Sequence, residues 1–252
     1  MTVVLVHGNP ESDAIWGLLI DALGRADVVT LSPPGFGAPL PSDFDSSYLA
    51  YRDWLEAELS ALDGPVDLVG HDWGGITVVN AMMNHPELVR SWATDALGIF
   101  DVEYVWHDMA QVWQTAGAGE EFVATMMSGT VEERADRLAA LGLGHDIAAE
   151  LAVAQNAEMA KAILRLYRSA AQPAMANAGR SLEAAAARPG LAILATGDEF
   201  MGTPELRRRA ADRAGARTVV LEGLGHWWML EDPARAAAAL TEFWAVTSAA
   251  AR

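Results

Sequence analysis

The segment Gly70-His71-Asp72-Trp73-Gly74-Gly75 restricts the folds open to this chain more than any other. Before it runs Pro65-Val66-Asp67-Leu68-Val69, short, β-branched and apolar, which reads as a buried strand. After it, residues 76–85 place apolar side chains at helical spacing. A Gly-x-nucleophile-x-Gly sequence on a strand-to-helix turn is a nucleophile elbow. Its glycines are required because so sharp a turn leaves no room for Cβ atoms beside the nucleophile. Serine is the usual central residue; here it is Asp72, which changes the chemistry on offer.

Around this turn, strand and helix patterns alternate. Strands are expected over residues 2–6, 27–31, 66–69, 91–97, 191–195 and 217–221, and helices over 13–23, 48–62, 74–85, 204–214 and 233–246. Such alternation predicts an α/β fold, a mostly parallel sheet flanked by helices on both faces. One stretch breaks the alternation. Residues 101–187 carry no strand signal and read as helical, with Trp106, Met109, Trp113, Met126 and Tyr167 among the larger side chains. The expected organisation is therefore a core of residues 1–100 and 188–252 carrying an inserted helical cap, 101–187. Arg207-Arg208-Arg209 is expected on a solvent-facing helix, and Glu120-Glu121 and Glu132-Glu133 on solvated cap surface.

Composition removes several function classes. With 252 residues, 52% of them apolar, the chain is long enough to bury one substantial core. It has no cysteine, so disulfides, thiolate catalysis and cysteine metal sites are excluded. A net charge of −17 argues against nucleic acid or an anionic membrane as partner. No apolar run reaches the length of a transmembrane helix, and the N-terminus lacks a secretory signal, so a cytoplasmic location is expected. His85 and His145 have no partner at metal-ligand spacing, and neither a phosphate loop nor a dinucleotide fingerprint occurs. No cofactor and no metal are expected.

Three polar residues follow strands: Asp72 in the elbow, Asp198 in Thr196-Gly197-Asp198-Glu199, and His226 in Gly223-Leu224-Gly225-His226. Loops at the carboxyl ends of parallel strands line one crevice, where these three would meet in the chain order nucleophile, acid, histidine. Taken singly, an Asp in a glycine-rich turn is a turn residue and a His between tryptophans a core residue. The joint pattern and strand contexts point instead to a catalytic set. Asp95, at the end of the preceding strand, is the alternative acid.

With His7-Gly8-Asn9-Pro10, Gly70-His71-Asp72-Trp73-Gly74-Gly75 and Gly225-His226, the chain resembles the α/β-hydrolase superfamily over essentially its whole length. It resembles in particular the branch with an aspartate nucleophile, which holds epoxide hydrolases and haloalkane dehalogenases. The resemblance implies a sheet shortened at its N-terminal side, starting at the usual third strand. It also implies an alkyl-enzyme ester on Asp72, hydrolysed by water that His226 activates, with Asp198 orienting the imidazole. The backbone N–H groups of Trp73 and Asn9 would face the oxyanion formed on the aspartate's own carbonyl. The substrate would be a small or medium apolar molecule, with water as co-substrate.

The leaving group divides the branch. For epoxides, Leu164-Arg165-Leu166-Tyr167-Arg168 resembles the segment that carries a ring-opening tyrosine. No second tyrosine stands near residues 109–114, where the family places one; Tyr104 lies upstream, and His107 is the substitute. For haloalkanes, Asn9 matches the halide-holding asparagine of His-Gly-Asn-Pro, with Trp73 as second donor. Epoxide hydrolysis is the first expectation and haloalkane dehalogenation the alternative. A hydrolase-like fold that binds a ligand without turnover is the third.

Overall fold

The computed structural model describes residues 2–250. Six strands, β1 (Val3–Val6), β2 (Val28–Leu31), β3 (Val66–Gly70), β4 (Val89–Thr94), β5 (Gly190–Ala195) and β6 (Ala216–Leu221), form one sheet in the order β2-β1-β3-β4-β5-β6. Every pairing is parallel. The central strands β1, β3 and β5 are buried throughout, as runs covered on both faces must be. The edges differ: β2 is half-buried, and β6 is exposed at Arg217, Thr218 and Val220.

Alternation along the strands divides the core in two. Val4, Val6 and Leu68 face a cluster completed by helices α2 (Tyr48–Ser60) and α3 (Asp72–Asn84), which follow α1 (Gly17–Leu23) in the chain. Val3, Leu5 and Val69 face the other cluster, against Trp16, Leu19 and the C-terminal side chains Leu240 and Phe243. Between β4 and β5 the chain forms six helices: α4 (Asp108–Gln114), α5 (Ala118–Met126), α6 (Val131–Ala140), α7 (His145–Ala154), α8 (Ala157–Ser169) and α9 (Ala174–Ala178). No strand occurs there among the described residues. The chain closes with α10 (Pro204–Arg213), α11 (Trp228–Glu231) and α12 (Pro233–Ala250). No helix among the described residues is long and apolar enough to cross a membrane.

The sheet order positions the site. From β1 the chain crosses to β2 on one side, and from β3 it crosses to β4 on the other. The loops leaving β1 and β3 therefore diverge, opening a crevice at the carboxyl ends of these neighbours. Asn9 lies in the first loop and Asp72 on the second.

Element ends shift for identifiable reasons. The helix expected over 13–23 is a 3-10 turn, Asp13–Trp16, running into α1. The fourth strand stops at Thr94, whose hydroxyl accepts the Ala96 N–H at 3.1 Å and turns the chain out of the ladder. α3 begins at Asp72 and ends before Pro86, whose ring disfavours helix at the residue before it. Arg207 departs from the solvent-facing expectation. It is buried, and its guanidinium donates to the Ala195 and Ile193 carbonyls at 2.9 and 3.2 Å. Arg209 pairs with Asp101. Glu120 and Glu133 accept the backbone N–H groups that open α5 and α6, so these acids fix helix starts as well as coating a surface.

Helix α3 approaches β1 so closely that a Cβ on Gly74 would lie 2.1 Å from the Val6 carbonyl oxygen. Gly17, exposed and helical at φ −51°, has nothing within 4 Å of a Cβ. Gly74→Ala should lower unfolding free energy by about 3 kcal/mol or abolish folding. Gly17→Ala should raise it by about 0.4–1 kcal/mol. Chemical denaturation of both checks the tight contact, which equal effects would refute.

Candidate active site

The turn from β3 into α3 holds Asp72 at φ +49°, a left-handed conformation costly for a residue with a Cβ. Two contacts hold it there. The Asp72 N–H donates to Asp95 Oδ1 at 3.0 Å, and Asp72 Oδ2 accepts the Asn9 N–H at 3.0 Å. Oδ1 accepts no hydrogen bond among the described residues. A Cβ on Gly8 would fall 2.3 Å from Oδ2, so the β1 loop can pass the carboxylate only as glycine. Burial raises the Asp72 carboxyl to about 6, against the pull of the His226 and His71 charges. Of the two expected oxyanion donors, the Asn9 N–H reaches the carboxylate and the Trp73 N–H does not.

Asp198 and His226 meet as their strand contexts implied. His226 Nδ1 lies 3.1 Å from Asp198 Oδ2, and Asp198 Oδ1 accepts the Phe200 N–H at 2.9 Å. Burial would lower the imidazole, but the Asp198 and Asp72 carboxylates overcome it and raise the histidine above its ordinary value. Burial would likewise raise Asp198; the facing His226 charge and hydrogen bond bring it down to about 2. The His226 ring is packed between His71, at 4.5 Å between centroids, and Phe200, at 4.9 Å.

Sequence reasoning missed a second set, beneath the first. His71 Nδ1 lies 2.5 Å from Asp95 Oδ2 and its Nε2 lies 3.2 Å from Glu11 Oε1, all buried. The Trp228 indole donates to Asp95 Oδ2 at 2.7 Å and the Trp227 indole to Glu11 Oε1 at 2.6 Å. Glu11 Oε2 accepts the Gly8 N–H at 3.0 Å. Burial works against a charged His71, but carboxylates on both sides raise it well above its usual value, and Glu11 is held down at about 2. Asp95 is thus engaged by His71, and Asp198 is the acid beside His226. The signal was present, since His71 adjoins the nucleophile position, Glu11 follows His-Gly-Asn-Pro and two tryptophans follow His226. Nothing in their spacing said that they touch. Glu11, His71 and His226 also form the one cluster with metal-ligating proximity among the described residues. With a carboxylate facing each His71 nitrogen, that ring has no free lone pair for an ion.

The leaving-group candidates converge as well. Asn9 Nδ2 donates to the Tyr167 hydroxyl at 3.1 Å, and α8 delivers that tyrosine into a nest of aromatic rings. Trp73 meets its ring edge-on at 5.2 Å, and Trp113 lies at 4.6 Å. The Trp73 indole N–H has no hydrogen-bond partner among the described residues. Burial raises the Tyr167 phenol well above its usual value, so it keeps its proton. His107 caps α4, its Nδ1 accepting the Ala110 N–H at 3.2 Å, and burial lowers it to about 4. It is therefore neutral with its proton on Nε2. Tyr104 is spent elsewhere, donating to the Phe200 carbonyl at 2.8 Å.

One cavity of about 610 Å³ gathers Asp72, His226, Asn9, Tyr167 and His107, with Met109, Trp113, Phe122 and Met126 among its apolar walls. In it, a carboxylate with one oxygen fixed and one free faces an acid-supported histidine and a protonated phenol.

Residues 3–239 match the profile of the alpha/beta hydrolase family. A haloalkane dehalogenase of Mesorhizobium japonicum is 30% identical over 140 residues, 48% of this chain and 42% of that protein. Epoxide hydrolase A of Mycobacterium tuberculosis is 35% identical over 98 residues, 36% of this chain and 30% of that one. The matched region thus spans less than half the length of either curated relative. A loop variant of haloalkane dehalogenase DbeA from Bradyrhizobium elkanii superposes with a TM-score of 0.75 at 20% identity, covering 99% of this chain and 91% of that one, a likeness of fold.

Because burial raises Asp72 from 3.8 to about 6, ionising it costs the folded protein about 3 kcal/mol. The sign follows from a folded-state pKa above the unfolded one: the penalty is absent below about pH 4, develops between 4 and 6, and is complete above. Asp72→Asn should therefore be more stable than the native chain by about 3 kcal/mol at pH 8, the gap closing at pH 4. Urea unfolding at the two pH values measures it, and a gap that does not change with pH contradicts it.

Proposed function

This chain belongs to the alpha/beta hydrolase family, and from that premise we propose that it hydrolyses small or medium apolar epoxides through an ester on Asp72. Asp72 Oδ1, free of hydrogen bonds, attacks an epoxide carbon. The carbon–oxygen bond breaks, and its electron pair leaves on oxygen, which takes the Tyr167 phenolic proton. His107 Nε2–H is the second donor, its other nitrogen being held by the α4 backbone. The helices between β4 and β5 act as a cap that brings both donors over the nucleophile. His226 then takes a proton from water, whose oxygen adds to the Asp72 carboxyl carbon. Negative charge collects on Oδ2, already facing the Asn9 N–H. Collapse expels the diol oxygen with a proton from His226. This leaves Asp72 as the carboxylic acid, whose proton passes through solvent to the Tyr167 phenolate, so the sum is epoxide plus water to diol. Asp198 orients and stabilises the imidazolium.

The observation that supports epoxides over halides is the Asn9–Tyr167 hydrogen bond. The amide N–H that would grip a departing halide is given to the phenol. The phenol oxygen, used as acceptor, keeps its proton for another atom. A halide would have to displace Tyr167 from Asn9. The second reading, haloalkane dehalogenation, draws on the unpartnered Trp73 indole N–H and on the curated relative of that name.

Tyr167→Phe should cut epoxide turnover by about 10²–10⁴-fold, while Asn9→Ala is milder. Halide release from haloalkanes that survives Tyr167→Phe and is lost in Asn9→Ala would reverse the assignment. Intact mass of His226→Gln with candidate substrates gives a direct readout, because the ester then accumulates. An epoxide adds its whole mass and a haloalkane only its alkyl group. Turnover that persists in Asp72→Ala would remove the ester mechanism altogether.

A further inference from the structure

The cavity that holds Asp72 is not apolar throughout. Arg134 and Arg137 of α6 also line it, three residues apart and so on one helix face, together with Gln155 at the end of α7. The two guanidiniums are positioned by backbone. Arg134 donates through Nε to the Ala152 carbonyl at 3.2 Å and through one terminal nitrogen to the Gly129 carbonyl at 2.8 Å. Arg137 donates through one terminal nitrogen to the Ser128 and Met126 carbonyls at 2.6 and 3.2 Å. Each keeps donors over, and neither forms a salt bridge with any carboxylate among the described residues. Glu121 lines the same cavity without pairing to either. Gln155 is 4% exposed and lines the same cavity. An amide there offers a donor to a ligand in the cavity.

We infer that Arg134, Arg137 and Gln155 form a carboxylate subsite, and that the substrate is an epoxide whose apolar chain ends in a carboxylate. The inference deepens the epoxide reading and rests on it for the reacting group, though not for the anion. Arg137 is exposed and Arg134 half-buried, so the subsite lies where the cavity meets solvent. Guanidiniums suit a carboxylate, which can accept from the terminal nitrogen that Arg134 has free and from the terminal nitrogen that Arg137 has free. Leu138, Met126 and Trp113, which line the same cavity, are apolar and suit a hydrocarbon chain. The field of the whole molecule opposes the arrangement, because a protein of net charge −17 repels anions. A preference for an anion must therefore come from local groups.

The test measures binding apart from turnover. Calorimetry of the native protein with decanoate and with decanamide at low salt should show decanoate binding about tenfold tighter, an advantage that shrinks as salt rises. Arg134→Gln/Arg137→Gln should abolish the advantage, Arg134→Lys/Arg137→Lys should retain part of it, and Arg208→Gln, on a helix away from the cavity, should leave it intact. Gln155→Leu should reduce it. Equal affinity of the native protein for acid and amide, or an advantage that survives the double glutamine variant in folded form, overturns the subsite. In kinetics, a terminal epoxide of decanoic acid should show a KM about tenfold below that of its amide, with kcat similar. If neither epoxide is turned over while decanoate is still preferred, the epoxide reading fails and the carboxylate subsite stands. If both are turned over with the same KM, the subsite fails and the epoxide reading stands.

Discussion

The imidazole of His71, gripped by a carboxylate on each ring nitrogen, is the contact on which the rest of the site depends. Glu11 comes from the loop after β1, His71 from the turn after β3, Asp95 from the end of β4, and two tryptophans from the segment before α12 close the set. Four separate stretches of chain are tied to one ring. Buried ion pairs add little net stability, since desolvation consumes most of the Coulombic gain, but losing one partner leaves an uncompensated charge at about 3–5 kcal/mol. The value of the arrangement is therefore positional. Asp95, with one oxygen on His71, uses the other to hold the backbone of Asp72. Glu11 does the same for the glycine beside the carboxylate.

This division of labour explains how two aspartates and two histidines share a small buried volume without exchanging roles. His71 has carboxylates on both sides and no lone pair to spare. His226 has one carboxylate partner and an open second nitrogen. The rings lie 4.5 Å apart between centroids, close enough that each charge disfavours the other. The charge on His71, favoured by its two carboxylates, also lowers the cost of ionising Asp72, which burial alone would push higher. The site keeps Asp72 ionised near neutrality while leaving it poorly solvated, which suits the nucleophile proposed for it.

Much of the fold was legible because its signals are local. Val3–Val6 and Val66–Gly70 are short apolar runs that suit strands buried on both faces, and Pro86 stops α3 by its own sterics. Asp198 and His226 could be paired in advance because strand ends in a parallel sheet share one crevice. What could not be read was contact between distant polar groups. Asn9 and Tyr167 stood in the sequence as rival indicators of two leaving groups; in the fold they are donor and acceptor of a single hydrogen bond. Arg207 looked like one of three solvated arginines, yet its helix phase turns it inward onto carbonyls at the end of β5. Hydrogen bonds across such separations leave no periodicity behind.

The sheet order also has a consequence for how such a protein can diverge. Asp72, Asp198, His226 and the His71 clamp all hang from strand ends of one sheet, whereas Tyr167, His107 and the two α6 arginines belong to the helices inserted between β4 and β5. The insertion enters and leaves at neighbouring strands, so its length and sequence can drift without moving a strand. On the proposed reading, ester formation is inherited with the sheet, and the choice of what departs, and of what the substrate carries at its far end, is inherited with the insertion. The two halves of the chemistry can then evolve at different rates.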